Sequence, residues 1–260
     1  MKPKRTSAAE AVPVRVVFVT LDNHLTGAVN RARRRLEAEL PGLHLALHAA
    51  TDWDSSPEAL VACREDIARA DIILTTLLVM ENEIQAILPA LQARRDHCDA
   101  MISCMSASEV MKLTRMGRFS MDGPQTGPMA LLKRLRGKKS NKRSGGAQQL
   151  AVLRQLPRIL RFIPGTAQDL RAYFLTMQYW LAGSEENIVR LVRFLVDRYA
   201  TGPRAVLQGQ LKTDAPIEYP ETGLYHPRLR ERFADRLETL PHPAAELRGC
   251  VGLLIMRSYV

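Results

Sequence analysis

Apolar and polar positions alternate with two different periods along the first hundred residues. Short, nearly continuous apolar runs or strict alternations, typical of strands, occupy 14–20, 43–49, 71–79 and 99–105. Apolar residues at helical spacing occupy 28–40, 56–70 and 82–95. Ser56 supplies a helix cap and Pro41 a helix stop. Strands and helices that alternate with short links predict a parallel, doubly wound sheet with right-handed crossovers.

Further helices are predicted after residue 105. A fourth helix is predicted from Ser106, with Ser106 and Glu109 as a capping box. Two long helices are predicted between 166 and 200, with Thr166 as the first cap and Gly183 as its stop. A second capping box is predicted at Ser184, with Asn187 in the Glu/Gln position.

The fold class is therefore α/β: a doubly wound, mostly parallel, flavodoxin-like sheet followed by a helical segment. The apolar run at 251–256 predicts a buried strand, which either joins the earlier sheet or begins a further α/β domain. The predicted organisation is a flexible N-terminal tail, an α/β domain, a basic flexible loop, a helical segment packed on the α/β domain, a linker, and the start of the next domain. Their respective ranges are 1–13, 14–130, 131–147, 148–200, 201–245 and 246–260.

Polar residues follow three of the predicted parallel strands. Because such sheets bind ligands at the carboxyl ends of their strands, these residues are expected to converge on one rim. They are Asp22, Asn23, His24, Glu81, Asn82, Glu83, Ser103 and Ser106. One interpretation is a site for a small molecule or a partner. The other, which we favour because no nucleophile–base pair is recognisable, is a set of helix caps and polar loop residues.

Four aromatic residues gather in the first of the two long helices: Tyr173, Phe174, Tyr179 and Trp180. They could stack on a flat macrocycle, but helical spacing with Leu170, Met177 and Leu181 favours core packing. Trp180 lies one turn from the helix end and its indole N–H needs a partner. It is therefore the residue of this cluster kept as a candidate for stacking.

The net charge of +10 is concentrated in one part of the chain. Ten lysines and arginines lie between 112 and 143, where only Asp122 opposes them. The dense part has little apolar content, which predicts a solvated flexible loop. It contains no stacking aromatics, so nucleic-acid binding is not expected. Weak contact with an acidic partner or a membrane surface stays open.

Several kinds of site are excluded by spacing. No Gly-x-Gly-x-x-Gly follows the first strand, and the run at Gly137 that imitates a P-loop has Leu132 where the upstream glycine is needed. His44 and His48 share a strand face but lie about 13 Å apart along it, too far for one metal ion. The four cysteines show no metal or disulfide pattern, and Cys63, Cys98 and Cys104 are expected to be reduced, buried thiols. We expect no metal site, no signal peptide, no membrane-spanning segment and a cytoplasmic location.

Four blocks of sequence resemble the large-subunit family of magnesium chelatases. They are "ISCMSASEVMKLTRMGRFSM" at 102–121, "PGTAQDLRAYFLTMQYWLAGSEENIVRLVRFLVDRY" at 164–199, "YPETGLYHP" at 219–227 and "VGLLIMRSYV" at 251–260. The last two are similar to the linker and first strand of a domain shared with the cobaltochelatase large subunit. Members of this family are several times longer, so the resemblance implies an N-terminal portion.

The resemblance implies an enzyme that inserts Mg²⁺ into protoporphyrin IX, using ATP, in chlorophyll and bacteriochlorophyll synthesis. It implies as partners the remaining domains of the same subunit and two further subunits, one of them an AAA-type ATPase. The residues of the chemistry belong to later domains of the family, so no catalytic residue is assigned and this portion alone is expected to be inactive. A cobaltochelatase relative and a freestanding flavodoxin-like binding module remain the alternatives.

Overall fold

A six-stranded sheet lies at the centre of the computed structural model, which describes residues 11–122, 157–219, 223–229 and 233–241. Its strands are β1 (Val14–Thr20), β2 (Leu43–Ala49), β3 (Ile72–Thr76), β4 (Ala100–Cys104), β5 (Arg115–Met116) and β6 (Phe119–Ser120). Their order is β2-β1-β3-β4-β5-β6, in which the first four are parallel and the last two antiparallel. The predicted doubly wound, mostly parallel sheet is confirmed.

Helices cover both faces of this sheet. They are α1 (Thr26–Leu36), α2 (Pro57–Arg69), α3 (Glu81–Arg94), α4 (Ser108–Met111), α5 (Thr166–Ala182) and α6 (Glu185–Tyr199). One core contains the buried side chains of α1, α5 and α6, and the other those of α2 and α3. The strands are apolar on both sides for this reason: Val16 and Phe18 of β1 enter the first core, whereas Val17 and Val19 enter the second.

The predicted helix from Ser106 is mostly wrong. Only Ser108–Met111 is helical, and the chain then turns into the β5–β6 hairpin. The reason is a long-range pairing, in which the Thr114 side chain bonds to both the N–H and the C=O of Ser103 and holds the chain beside β4. The capping box is also absent, because Ser106 Oγ donates to the Cys104 carbonyl and accepts from the Leu78 N–H.

The other helix ends are a mixture of confirmed and wrong predictions. Ser56 accepts a bond from the Ala59 N–H as the cap of α2, and Gly183 ends α5 with a left-handed φ of 61°. Thr166 is not a cap, because Gly165 occupies that position and offers no side chain. The helix predicted to run to Leu40 stops at Leu36, and a turn brings Leu40 back into the core.

Residues 201–219, within the predicted linker, lie along α5 and α6. Asn187, which is buried in α6, exchanges two hydrogen bonds with the backbone of Ile217, at 2.9 and 3.1 Å. Its side chain therefore does not complete the predicted capping box, although its N–H does donate to Ser184 Oγ. Arg190 donates to the Ala215 carbonyl at 2.6 Å. Further on, 224–225 and 233–234 form a two-stranded antiparallel pair, and the predicted strand at 251–256 and the basic loop at 131–147 are outside the described residues.

Two aspartates at the amino ends of β3 and β4 hold the chain that leaves α6. Asp99 accepts bonds from the backbone and side chain of Thr201 and from Arg204, whose Nε lies 2.9 Å from it. Arg204 also contacts Asp71 at 3.2 Å, and Asp71 accepts a bond from the Arg15 N–H. Burial would raise the pKa of Asp99, but the bonds from Arg204 and Thr201 outweigh it and hold the pKa below its usual value.

The first prediction concerns this aspartate clamp. Asp99→Ala leaves the Arg204 guanidinium without its main partner, and we expect the free energy of unfolding to fall by about 3 kcal/mol. Urea denaturation at neutral pH measures this. The control is Glu65→Ala, which removes an exposed ion pair with Arg69 and should cost less than about 1 kcal/mol. Equal losses for the two variants would show that the clamp stabilises nothing.

The same clamp predicts a pH dependence. Because the pKa of Asp99 is lower in the folded than in the unfolded chain, its contribution is fully present above the unfolded value of about 3.9. It is lost as the pH falls through the folded value. Asp99→Asn should therefore lose less stability than the wild type between pH 5 and pH 2.5, measured by urea unfolding at each pH. Parallel curves for both proteins would contradict the assignment.

Candidate functional site

Three loops meet at the carboxyl edge of the sheet because β2, β1 and β3 are neighbours. They are residues 21–25 after β1, 50–54 after β2, and 77–83, which lead from β3 into the first turn of α3. The first two are joined by a bond from the Thr51 N–H to the Leu21 carbonyl, at 2.9 Å, and by a 3.5 Å contact of Asn23 with Asp52. We call this set of three loops the acidic edge.

The acidic edge carries carboxylates and has no lysine or arginine in its sequence to balance them. Its five carboxylates belong to Asp22, Asp52, Asp54, Glu81 and Glu83. Asp22 accepts bonds from the backbone N–H and a ring nitrogen of His24. Burial lowers the pKa of the His24 imidazole. The acidic edge therefore carries negative charge, although the net charge of the whole chain is positive.

Two buried polar atoms of the acidic edge have no hydrogen-bond partner among the described residues. They are Trp53 Nε1 and Glu83 Oε2. Trp53 is only 8% exposed. Burial raises the pKa of Glu83, the Met80 N–H opposes this, and the nearby Asp54 charge adds to the rise. Because unpaired buried polar groups are rare and costly, both atoms need a partner that the described residues do not supply.

The backbone and the apolar surface at this edge are also unusual. Leu77 and Met105, which follow β3 and β4, adopt left-handed φ angles of 61° and 52° without being glycine. Such conformations cost about 1–3 kcal/mol and tend to occur at functional sites. Beside Leu77, Val79 and Met80 are each 55% exposed. The edge therefore combines negative charge with an accessible apolar patch.

The predicted rim residues fall into two groups. Asp22, Asn23, His24, Glu81, Asn82 and Glu83 lie in the acidic edge. Ser103 does not line it: this side chain is fully buried, and Oγ accepts a bond from Thr75 at 2.8 Å. Ser106 instead ties the loop after β4 to Leu78. Asp52, Asp54 and Trp53 were missed, because the end of β2 was not included in the predicted rim.

His44 and His48 do share a face of β2, as predicted, and both rings reach the same carboxylate. Nε2 of His44 lies 3.2 Å from one oxygen of Asp66 and Nε2 of His48 lies 2.9 Å from the other. The distance of about 13 Å that was expected between the two histidines considered only the backbone spacing of a strand. Both side chains lean toward α2, which brings their rings closer together. Across the part of the chain that the structure describes, no group of three or more His, Cys, Asp or Glu is arranged to hold a metal ion.

The aromatic cluster of α5 is buried. Trp180 is 3% exposed and its ring meets that of Phe18 edge-on, with centroids 5.4 Å apart. Tyr173 donates to the Ser103 carbonyl and Phe174 packs on Tyr173. The expected apolar stripe fails only at Leu181, which is 47% exposed. Stacking of a macrocycle on Trp180 would require α5 to move away from the sheet.

Trp180→Ala tests whether this residue packs or binds. We expect the free energy of unfolding to fall by about 3–5 kcal/mol, because a large buried aromatic is removed. The control Leu181→Ala, on the exposed side, should cost less than about 1 kcal/mol. Melting temperatures and protoporphyrin titrations of both variants distinguish a packing role of Trp180 from a binding role. A Trp180→Ala protein of unchanged stability that has lost tight protoporphyrin binding would contradict the packing role and place part of a porphyrin site here.

An open cleft of about 570 Å³ lies at the opposite, amino edge. Its charged lining consists of Asp99, Arg115, Arg118, Asp169 and Arg198. Asp169 accepts bonds from the Arg118 N–H and from Arg198, so these charges hold the β5–β6 hairpin to α5 and α6. Gly117 turns here with φ of 58°, and a Cβ would come 2.7 Å from Asp169. This cleft was not predicted from the sequence. Gly117, between Met116 and Arg118, could have indicated it, because a glycine there suggests a tight turn.

Two family models match the chain. One, described as a domain of unknown function (DUF3479), matches residues 15–174, and one described as CobN/Magnesium Chelatase matches residues 177–260. The magnesium-chelatase H subunit of Cereibacter sphaeroides is 48% identical over 94% of this chain and 20% of its own length. That of Rhodobacter capsulatus is 44% identical with the same coverage. The chloroplastic magnesium-chelatase subunit ChlH of Oryza sativa subsp. indica is 29% identical over 92% of this chain and 17% of its own. The chain thus spans about a fifth of the length of these curated relatives.

Proposed function

The chain belongs to the family of the magnesium-chelatase H subunit, and we propose that it contributes the N-terminal portion of such a subunit. The family follows from 48% identity to an H subunit over 94% of this chain and from the CobN/Magnesium Chelatase model at residues 177–260. That identity is the observation that carries the proposal. It extends through the sheet, α5 and α6 alike, so the whole architecture is expected to be shared.

The proposed activity of the complete enzyme is insertion of Mg²⁺, as substrate, into protoporphyrin IX in chlorophyll or bacteriochlorophyll biosynthesis. Two pyrrole N–H protons must leave, and Mg²⁺ must give up water that it holds tightly. This is a physical reason for coupling insertion to ATP hydrolysis. The proposed partners are the remaining domains of the same subunit and two further subunits, one an AAA-type ATPase.

The proposed role of this portion is structural and binding rather than catalytic. Its buried cores and its clamp of Asp71, Asp99 and Arg204 make a firm scaffold. We assign no catalytic residue to it, and Asp22, His24, Glu81 and Glu83 remain candidates for binding a ligand or partner at the acidic edge. Among the described residues, none of the helices combines the length and the apolar content that a membrane-spanning segment requires. A cytoplasmic location and weak contact with a membrane surface belong to the proposal.

Of the alternatives, the cobaltochelatase relative shares a family model with the magnesium enzyme, since the description CobN/Magnesium Chelatase names both. Identities of 48% and 44% to the H subunits of magnesium chelatases support the magnesium enzyme. The same model runs from residue 177 to residue 260, which supports a chelatase subunit over a freestanding flavodoxin-like module.

A chimera tests the proposal. The segment of the Cereibacter sphaeroides H subunit that aligns with this chain would be replaced by residues 1–260, and the protein assayed with the partner subunits of that enzyme. We expect magnesium protoporphyrin to form, measured by its fluorescence, because the two segments share architecture. The control is the same H subunit with the segment deleted, which should be inactive. A chimera that folds, accumulates normally and makes no product would refute the proposal.

The chain alone should not catalyse insertion. Mixed with the two partner subunits, protoporphyrin, Mg²⁺ and ATP, residues 1–260 should yield no magnesium porphyrin, because the reacting groups are proposed to lie elsewhere in the subunit. Steady accumulation of the fluorescent product would place the chemistry in this portion after all.

A further inference from the structure

We propose that the acidic edge is a docking surface for a basic segment of a partner polypeptide that carries an apolar side chain among its lysines or arginines. This inference rests on the geometry of the described residues and does not depend on the proposed chelatase activity. It assigns a binding role to the loops at 21–25, 50–54 and 77–83.

Charge is the first argument. Five carboxylates lie in three neighbouring loops with no lysine or arginine among them, in a chain whose net charge is +10. At the amino edge of the sheet, by contrast, the carboxylates are paired: Asp71, Asp99 and Asp169 all have arginine partners. Carboxylates left without cations repel one another at short range, and Asp54 acts on Glu83 in this way. A basic segment would relieve that repulsion and be steered to the edge.

Unpaired hydrogen-bonding groups are the second argument. Among the described residues, Glu83 Oε2 lacks a donor. Nε1 of Trp53, a residue that is 8% exposed and lies in the same core as α2 and α3, lacks an acceptor. A polypeptide offers both complements, because its guanidinium or backbone N–H groups donate and its carbonyls accept. A simple metal ion could satisfy only the carboxylate. The described residues also hold no arrangement of ligands for such an ion.

The apolar patch is the third argument. Val79 and Met80 are each more than half exposed, directly before the first turn of α3 that carries Glu81 and Glu83. Methionine is a side chain suited to adaptable binding surfaces, since it is flexible and polarizable. An apolar residue set among basic residues would therefore contact Val79 and Met80 while its neighbours meet the carboxylates. This pattern of an apolar anchor within a charged rim is typical of protein–protein contacts.

The experiment uses the full chain and a fluorescein-labelled 12-residue peptide of lysine and arginine with two central leucines. Binding is followed by fluorescence polarisation at low and moderate salt. The variant Asp54→Asn/Glu81→Gln/Glu83→Gln should weaken binding at least tenfold. Val79→Ser/Met80→Ser should weaken it severalfold. The same peptide with the leucines replaced by serine should bind the wild type severalfold more weakly.

The matched control removes the same charge elsewhere. Glu37→Gln/Glu65→Gln/Asp235→Asn changes three exposed carboxylates outside the acidic edge and should leave binding within twofold of the wild type. An equal loss in the control and in the edge variant would overturn the proposal, because the attraction would then be non-specific. Melting temperatures establish that each variant is folded before its affinity is compared.

Two further outcomes would also overturn the proposal by assigning the edge to another occupant. Carbodiimide cross-linking, followed by mass spectrometry, joins carboxylates to lysines that lie in contact. Intramolecular cross-links from Glu81 or Glu83 to lysines of residues 131–147 would identify the chain's own basic segment as the occupant. Sedimentation showing dimers of the wild type but monomers of the edge variant would identify a second copy.

Discussion

The need to cover an apolar sheet on both faces determines the rest of this structure. β1 and β3 place apolar side chains alternately into two cores, so water must be excluded from each side. α2 and α3 cover one face with residues near in sequence. On the other face, α1 alone does not cover the apolar surface of the sheet. α5 and α6, from a much later part of the chain (166–199), cover the remainder. The helical segment is therefore part of the α/β domain in physical terms.

Electrostatics then determine how this distant cover is attached. At the amino edge, Asp99 and Asp71 share Arg204, and Asp169 joins the β5–β6 hairpin to α6 through Arg198. Arg31 and Arg35 of α1 likewise meet Glu185 at the start of α6. At the carboxyl edge, no carboxylate of the three described loops lies in an ion pair with an arginine or lysine of the described residues. One edge of the sheet thus pairs its aspartates with arginines, while the carboxylates of the other have no such partner among the described residues.

The sequence pattern correctly predicted those features that depend on residues near one another in the chain. The apolar run at 14–20 and the alternation at 43–49 predicted β1 and β2 to the residue. Ser56 predicted a helix cap, and Gly183 predicted a helix end that needs a left-handed φ. Contacts between distant residues decided the rest. Thr114 turns its segment into a hairpin by bonding to Ser103, and Asn187 bonds to Ile217 instead of closing a capping box. Most of the rim was predictable because the ends of strands are predictable. Ser103 instead lies within the sheet, fully buried, with its side chain bonded to Thr75 of the neighbouring strand.

Native-state hydrogen exchange of the full chain tests the dependence of the sheet on its distant cover most directly. Amides of β1 (14–20) and of α6 (188–196) would be followed while urea is raised within the folded range. The account predicts that both segments open with the same free energy and the same dependence on urea, because loss of α6 exposes the face of β1. Opening of α6 at a markedly lower free energy, with β1 still fully protected, would contradict it.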